Sequence, residues 1–429
     1  MMTIIRTKDL PKYEGKEVTL RGWAYQIRDH GKILFYFLRD GYGFCQITIK
    51  KNIVGEEIFK KAKKIYREAS VEITGEVKKD ARAEGGYEIL AKKIKIWNPS
   101  HPEIDQEVTP DSSPDILLDK RHFVIRGRRT RAILKYRSDA LKYFRDYFYE
   151  TGAFEVTPPL IVETLPEGGS DLFEIKYFDK KAYLSQSSQL YLEAAIFSLN
   201  RVFSILPSYR AEKSRTRRHL SEFTHVEGEF AWMDFYELLE YMEKMIHYVL
   251  KRTVEESEDV LKDLGIEVEV PSIPFKRVPY KEAIKIVREK GWDIEEGNDI
   301  SDAPERDLVA HFGAPIYLTE FPVNMKPFYH KIDPDNPTVT RSADLLVPVV
   351  GELIGSGERE TDYDSLLKRL KKMGLDPEPY YWYLDLRKYG SVPHSGFGLG
   401  FERFIQWVLK IEHIRDTCLF PRTRFRLRP

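Results

Sequence analysis

Through the first hundred residues, apolar and polar positions alternate in short runs. Val18-Thr19-Leu20-Arg21-Gly22-Trp23-Ala24-Tyr25 has the period of a strand with one buried face. Ile33 to Leu38, Gly43 to Ile49, Val71 to Val77 and Tyr87 to Ile96 repeat that pattern. Asp40-Gly41-Tyr42-Gly43 is a tight hairpin signal between the second and third runs. After the third run the spacing turns helical over Glu56 to Ala69, with Ile58 or Phe59, Ala62 and Ile65 or Tyr66 on one side. Five strands with a helix after the third is the order of an OB-fold barrel, a common nucleic-acid binder; other small barrels share that order.

The pattern breaks at Asn98 to Pro114, where Asn98-Pro99-Ser100-His101-Pro102 and Asp111-Ser112-Ser113-Pro114 read as a linker. Beyond it the periods are longer. Arg129 to Thr151 predicts a helix with Ile133, Leu134, Leu141, Phe144, Tyr147 and Phe148 near one stripe, ended by Gly152. Tyr236 to Lys251 and Leu399 to Lys410 predict further helices. The expected organisation is α+β: a barrel over residues 1–97, a linker or hinge over 98–127, and a domain over 128–429 built on an antiparallel sheet flanked by helices.

A chain of 429 residues is long enough for two cores. It holds no run of about 18 apolar residues and no signal-peptide stretch after Met1-Met2-Thr3-Ile4-Ile5-Arg6, so neither a membrane span nor export is expected. Cys45 and Cys418, far apart and unlike a metal-binding pair, point to a reducing cytoplasm. Net charge is zero, yet residues 1–97 carry 21 Lys and Arg against 13 Asp and Glu. Such a surplus suits a phosphate-binding module, and equally a solvated surface.

Three blocks carry candidate chemistry. The first is Ser208-Tyr209-Arg210-Ala211-Glu212-Lys213-Ser214-Arg215-Thr216-Arg217-Arg218-His219-Leu220-Ser221-Glu222-Phe223-Thr224-His225, read as a strand, a basic loop and a returning strand around a polyanion. The second is Gly351-Glu352-Leu353-Ile354-Gly355-Ser356-Gly357-Glu358-Arg359, and the third His394-Ser395-Gly396-Phe397-Gly398-Leu399-Gly400-Phe401-Glu402-Arg403. Their glycines let backbone approach a ligand, and an arginine sits on the helix that follows. No phosphate-binding loop of the Gly-x-x-x-x-Gly-Lys-Ser/Thr type and no dinucleotide fingerprint is present, so a nucleotide would bind in another way.

These blocks resemble motifs 2 and 3 of the class II aminoacyl-tRNA synthetases, aspartyl/asparaginyl subgroup, in its archaeal-like form. Phe154-Glu155-Val156-Thr157-Pro158-Pro159 resembles motif 1, which builds the family's dimer interface, so a homodimer is implied. The resemblance runs over nearly the whole chain. It implies an ATP-dependent ligase that activates an amino acid by in-line attack of its carboxylate on the α-phosphorus, then transfers it to tRNA. Such chemistry needs positioning and charge stabilisation rather than a protein nucleophile. By resemblance, Arg210 grips the α-phosphate and the attacking carboxylate, Arg218 and His219 reach the γ-phosphate, and Arg403 meets it from the other side. Phe223 stacks on adenine and Glu212 accepts from its amino group. Asp344 and Glu352 are the implied Mg²⁺ ligands, hard oxygens suited to that ion.

The amino acid is decided in the side-chain pocket. Arg359 resembles the arginine that meets the side-chain oxygen in both aspartyl and asparaginyl enzymes. Aspartyl enzymes add a lysine in Gln-Ser-Pro-Gln-Leu-Tyr-Lys, whereas this chain reads Gln186-Ser187-Ser188-Gln189-Leu190-Tyr191-Leu192. Aspartyl enzymes also carry Asp where this chain has Glu227, an acid able to accept an amide NH₂ and repel a carboxylate. Both changes imply asparagine as substrate and tRNA(Asn) as partner. Glu167-Gly168-Gly169-Ser170 resembles the loop that closes over the amino acid, and Glu167, Ser187 and Gln189 are implied holders of its α-ammonium. In the barrel, Arg28, Phe35, Gln46 and Glu88 match anticodon-reading positions of the subgroup: a stacking face, base-edge donors and acceptors, and a cation. Phe35 has a rival place in the barrel core. Rival functions are an aspartyl enzyme of relaxed specificity, an asparagine synthetase built on the same catalytic domain, and a non-catalytic RNA-binding paralogue. The missing cation at Leu192, the intact barrel, and the retention of Arg210, Glu352 and Arg403 count against them in turn.

Overall fold

The computed structural model describes residues 3–109, 111–164, 172–212 and 217–429. They form two compact units, Met1–Val124 and Ile125–Pro429.

In the first unit β1 (Ile4–Ile5), β2 (Glu17–Asp29), β3 (Ile33–Arg39), β4 (Phe44–Lys50), β5 (Ala69–Lys79) and β6 (Tyr87–Asn98) make one sheet in the order β1-β2-β3-β4-β6-β5. Strand β5 also pairs with β2, closing the barrel. The alternating residues are what close it: Leu34, Tyr36 and Leu38 of β3, Cys45, Ile47 and Ile49 of β4, and Ile89 and Ala91 of β6 are fully buried in one core. Helices α1 (Lys51–Val54) and α2 (Glu56–Lys63) follow β4, with Phe59 and Ala62 turned inward. The helical spacing predicted an element reaching Ala69, but the helix stops at Lys63. Glu68 adopts a positive φ of 68°, and Ala69 already pairs as the first residue of β5. The buried Glu68 carboxylate is gripped at both oxygens by Arg39, at 2.8 Å each, which fixes that turn.

The stretch read as a linker contains three short helices, α3 (Ile104–Glu107), α4 (Pro114–Asp119) and α5 (Arg121–Val124). Ser113 caps α4 and Pro114 opens it, so the Ser-Pro signal marks a helix start.

The second unit begins with α6 (Arg128–Glu150), whose Ile133, Tyr136, Ala140, Phe144, Tyr147 and Phe148 are buried along one stripe. It continues through β7 (Phe154–Glu155), β8 (Ile161–Val162), β9 (Glu174–Tyr177), β10 (Lys180–Leu184), α7 (Gln189–Leu199), β11 (Arg201–Tyr209) and β12 (Glu222–Ala231). Then come α8 (Phe235–Glu256), α9 (Glu258–Leu264), β13 (Lys276–Pro279), α10 (Tyr280–Glu289), α11 (Asp302–Phe312), β14 (Ile316–Thr319), β15 (Ser342–Val347) and β16 (Gly351–Glu358). Helices α12 (Tyr363–Lys372) and α13 (Tyr381–Lys388), β17 (His394–Gly400) and α14 (Phe401–Val408) complete it. Eight strands form the main sheet in the order β13-β14-β15-β16-β17-β12-β11-β7. Its centre is antiparallel as expected, while β13–β14 and β11–β7 pair parallel at the two edges, so the sheet is mixed. Helices α6 and α8 pack over it through the largest apolar cluster. The predicted helix from Leu399 to Lys410 starts later, at Phe401, because Leu399 is still paired with Val226 on one side and Ile354 on the other.

Candidate active site

The middle strands β12, β16 and β17 and the start of α14 line a cavity of about 340 Å³. Thirteen of the residues selected from the sequence meet there: Ser187, Gln189, Leu192, Arg210, Glu212, Arg218, His219, Phe223, Glu227, Asp344, Glu352, Arg359 and Arg403. Glu167 lies outside the described residues.

The polyanion end gathers cations around one carboxylate. Arg403, in the first turn of α14, donates through Nη1 to the Glu352 carbonyl at 2.8 Å and to Glu352 Oε2 at 3.0 Å. Burial alone would raise the Glu352 carboxyl, but Arg403, Arg218 and Lys326 hold it down at about 2, so it is ionised. Arg218 is buried against Glu305 of α11 and also donates to the Val350 carbonyl at 3.1 Å. Gly351 adopts φ 79°, and a Cβ there would collide with the Glu305 carboxylate; this is why glycine opens β16. Glu212 lies 3.7 Å from Arg210 and 3.5 Å from His219. Phe223 sits 5.7 Å from the Arg210 guanidinium, its ring half-exposed at the cavity wall and backed by Leu220, Ile414 and Cys418. An aromatic face beside a fan of arginines can take a purine and its phosphates.

Burial, Arg403 and Arg218 lower His219 to about 4. The imidazole is therefore neutral at pH 7, a hydrogen-bonding group rather than a cation. An unfolded histidine protonates near 6.5. Below that pH the unfolded chain binds a proton that the folded chain refuses, so this group costs stability progressively from pH 6.5 down to about 4. NMR titration of the His219 ring is expected to give a midpoint near 4; a midpoint at or above 6.5 contradicts this geometry.

Asp344 of β15 is half-buried near Glu352, and both carboxylates lie within 4 Å of where a Gly355 Cβ would stand, at 3.8 and 3.6 Å. Burial, with repulsion from Glu352, raises Asp344 to about 6 even though Lys326 pulls it down, its ammonium 2.7 and 2.9 Å from the two carboxylate oxygens. Converging hard oxygens already attended by a cation fit a divalent ion that keeps most of its water. Among the described residues there is no cluster of three or more protein ligands of metal-binding type.

The other end of the cavity is lined by Ser187, Leu192, Glu227, Glu229 and Arg359. Glu227 of β12 accepts from the Ser187 hydroxyl and, at 2.8 Å, from the Ser188 N–H, so its carboxylate is fixed at the wall. Leu192 is 1% exposed, packed with Ile196, Val202 and Ala231, and also faces the cavity. Both the core role and the wall role are thus filled by one side chain. Arg359, just after β16, forms a two-pronged ion pair with Glu229, at 3.0 and 2.9 Å. Gly396 makes this possible, because a Cβ there would overlap the Glu229 carboxylate. Glu229 escaped the sequence reading, though it stands two residues from Glu227 and so shares its face of the strand. Lys326 and Glu305 were missed too; each meets the site from a distant segment with no motif of its own.

In the barrel, Arg28 pairs in register with Phe35, Phe35 with Thr48, and Gln46 with Glu88, which sets all four anticodon candidates on one outward face. Arg28 is exposed and Phe35 half-buried with its ring edge-on to His30, outside the barrel core. Glu88 accepts from Gln46 at 2.9 Å and from Thr48 at 2.6 Å, leaving a row of base-sized polar and aromatic surface.

The model of class II tRNA synthetases (D, K and N) matches residues 113–424, and that of an OB-fold nucleic-acid-binding domain matches residues 18–97. The chain belongs to the class II tRNA synthetases of the D, K and N family. Within that family it is 47% identical over 423 residues to the asparagine–tRNA ligase of Pyrococcus furiosus, covering 98% of each chain. The asparaginyl-tRNA synthetase of Pyrococcus horikoshii, solved with asparaginyl-adenylate, superposes with a TM-score of 0.94 at 45% identity over the full length of both. The Entamoeba histolytica enzyme in the same complex gives 0.92 at 40% identity, again over both full chains.

Proposed function

We infer that this protein is an asparagine–tRNA ligase, which activates asparagine with ATP to asparaginyl-adenylate and transfers it to the 3′ end of tRNA(Asn). The observation that carries this is the two-ended cavity: a fan of arginines with an aromatic wall at one end, and at the other an arginine already neutralised by a carboxylate. The likeness to asparagine–tRNA ligases over 98% of the chain supports it.

In the first step an asparagine carboxylate oxygen attacks the α-phosphorus, the bond to the bridging oxygen breaks, and pyrophosphate leaves. Arg210 holds the attacking carboxylate against the α-phosphate. Arg403, Arg218 and the neutral His219 receive the charge that grows on the leaving group, while Phe223 and Glu212 hold the adenine. Mg²⁺, held by Asp344 and Glu352, would neutralise phosphate charge there. Ser187 and Gln189, with Glu167, take the α-ammonium, and Arg359 and Glu227 take the oxygen and nitrogen of the side-chain amide. In the second step a terminal ribose hydroxyl of the tRNA attacks the adenylate carbonyl and AMP leaves.

Residues 1–97 read the anticodon through Arg28, Phe35, Gln46 and Glu88, residues 98–127 link the modules, and residues 128–429 carry the chemistry. The protein acts as a homodimer; exposed Tyr149, Phe154 and Ile161 beside the first motif supply apolar surface for that contact. It works in the cytoplasm, in keeping with a chain of only two cysteines, Cys45 and Cys418, both buried and far apart in the sequence; among the described residues no helix is long and apolar enough to cross a membrane.

Charging of tRNA(Asn) with radiolabelled asparagine tests the reading; no labelled tRNA with pure enzyme and ATP would contradict it. Phe35→Ala is expected to lower charging about tenfold or more by loss of one stacked base, worth about 1–3 kcal/mol, while pyrophosphate exchange stays within twofold. Equal losses in both assays would place Phe35 outside anticodon recognition.

A further inference from the structure

Helix α7 begins with Gln189 and, one turn later, carries a glutamate that is fully buried. Glu193 accepts from Gln189 Nε2 at 3.0 Å, from the Tyr383 hydroxyl at 2.7 Å and from the Arg387 guanidinium. His394 reaches it through Nε2 at 3.1 Å, the other ring nitrogen lying 2.7 Å from the Val392 carbonyl. Its Oε1 stands 4.0 Å from Arg359 Nε, on the arginine that already pairs with Glu229. A carboxylate taken wholly from water needs partners of this quality, and four separate segments supply them. The simple packing alternative at this helix position is an aliphatic residue like its neighbours Leu192 and Ile196, both buried beside it.

The charges around Arg359 determine what it can bind. Glu193, Glu227 and Glu229 are three carboxylates; Arg359 and Arg387 are two cations. With His394 counted as a cation, the three carboxylates, the two arginines and that histidine sum to zero, and His225, 3.4 Å from Glu227, is the further histidine beside them. A bound amide adds no charge to it, whereas a bound carboxylate adds one beside arginines, Arg359 and Arg387, that are already paired with carboxylates in a buried, low-dielectric setting. Glu193 also raises the Glu229 carboxyl by repulsion, after burial the main effect pushing it upward, which places the two acids in one field.

We propose that Glu193 is a specificity-setting positioning residue: together with Glu229 it neutralises Arg359, so that the guanidinium serves as a hydrogen-bond donor to an amide and not as a counter-ion for a carboxylate. The same carboxylate orients Gln189 at the α-ammonium side, coupling the two ends of the bound amino acid. This rests on the reading of the pocket as the asparagine site, and it adds a determinant that does not itself line the cavity.

The test is ATP–pyrophosphate exchange with asparagine and with aspartate, in the unaltered protein and in Glu193→Gln. The expected result is at least a tenfold fall in the asparagine-to-aspartate ratio of kcat/KM, with aspartate's own kcat/KM rising through a lower KM. Glu193→Asp keeps the charge but withdraws it by one methylene, and is expected to move the ratio in the same direction about threefold. An unchanged ratio, or equal loss for both amino acids, overturns the proposal, since a merely structural role moves both together. Where the Glu193→Gln protein does not fold, the Glu193→Asp ratio decides alone, and no change there overturns it. Failure of the unaltered protein to activate asparagine is a different result: it overturns the functional reading, and this proposal with it.

Discussion

Arg403→Ala is expected to lower kcat/KM for asparagine-dependent pyrophosphate exchange by roughly 10²–10³-fold, the loss measured when one preorganised charge-stabilising donor is removed from an active site. The guanidinium stands in the first turn of α14, pinned by the carbonyl and the carboxylate of Glu352 at 2.8 and 3.0 Å. It is thus held in place before any phosphate arrives, and little reorganisation accompanies the reaction. Removing it also weakens the field that keeps Glu352 ionised, leaving Arg218, Lys326 and Arg210 to do so. Arg403→Lys restores the charge but not the planar two-pronged geometry, so it should recover only part of the rate. Binding of tRNA, measured by filter retention, should stay within twofold. Exchange within threefold of the unaltered protein would show that Arg403 does not act on the leaving phosphates.

The second large effect is on stability and activity together. Arg359→Ala leaves Glu229 buried without its cation, which is expected to cost about 3–5 kcal/mol of stability. The pair is 3% and 1% exposed, so water cannot replace the lost partner. Replacing both partners, Arg359→Met with Glu229→Leu, removes the stranded charge and should return most of that stability, since apolar residues of similar volume often equal a buried ion pair. Glu193 retains Tyr383, Arg387 and His394 in that double variant. Asparagine activation is not expected to return, because the donor to the amide oxygen is gone. Urea denaturation midpoints and pyrophosphate exchange, read on the same three proteins, separate the two effects. A double variant as unstable as Arg359→Ala would show that the pair is more than mutual neutralisation.

Much of this was legible in the sequence wherever the information is local. The barrel strands follow from alternation, because a residue's face is fixed by its neighbours two positions away. Arg210 could be chosen because it lies in a dense basic block, and Glu352 and Arg403 because each lies in a glycine-bearing one, and the structure brings those blocks to one cavity. Element ends were less readable. Glu68 breaks the helical pattern because of Arg39, 29 residues away, and Leu399 belongs to a strand because of Val226 and Ile354. The residues missed in the site share one cause. Lys326 is placed by Asp344, Glu305 by Arg218, and Glu193 by Arg387, which lies 194 residues further on. A buried acid on a helix reads as a surface acid until its partners arrive from other segments.

The central claim is that the pocket accepts an amide and refuses a carboxylate. Pyrophosphate exchange by the unaltered protein with asparagine and aspartate, side by side at pH 7, tests it most directly. The charge balance around Arg359 predicts kcat/KM for asparagine about 10⁴ times that for aspartate or more, the scale on which an unpaired buried polar group rejects an analogue. Equal exchange with the two amino acids, or preference for aspartate, would contradict it.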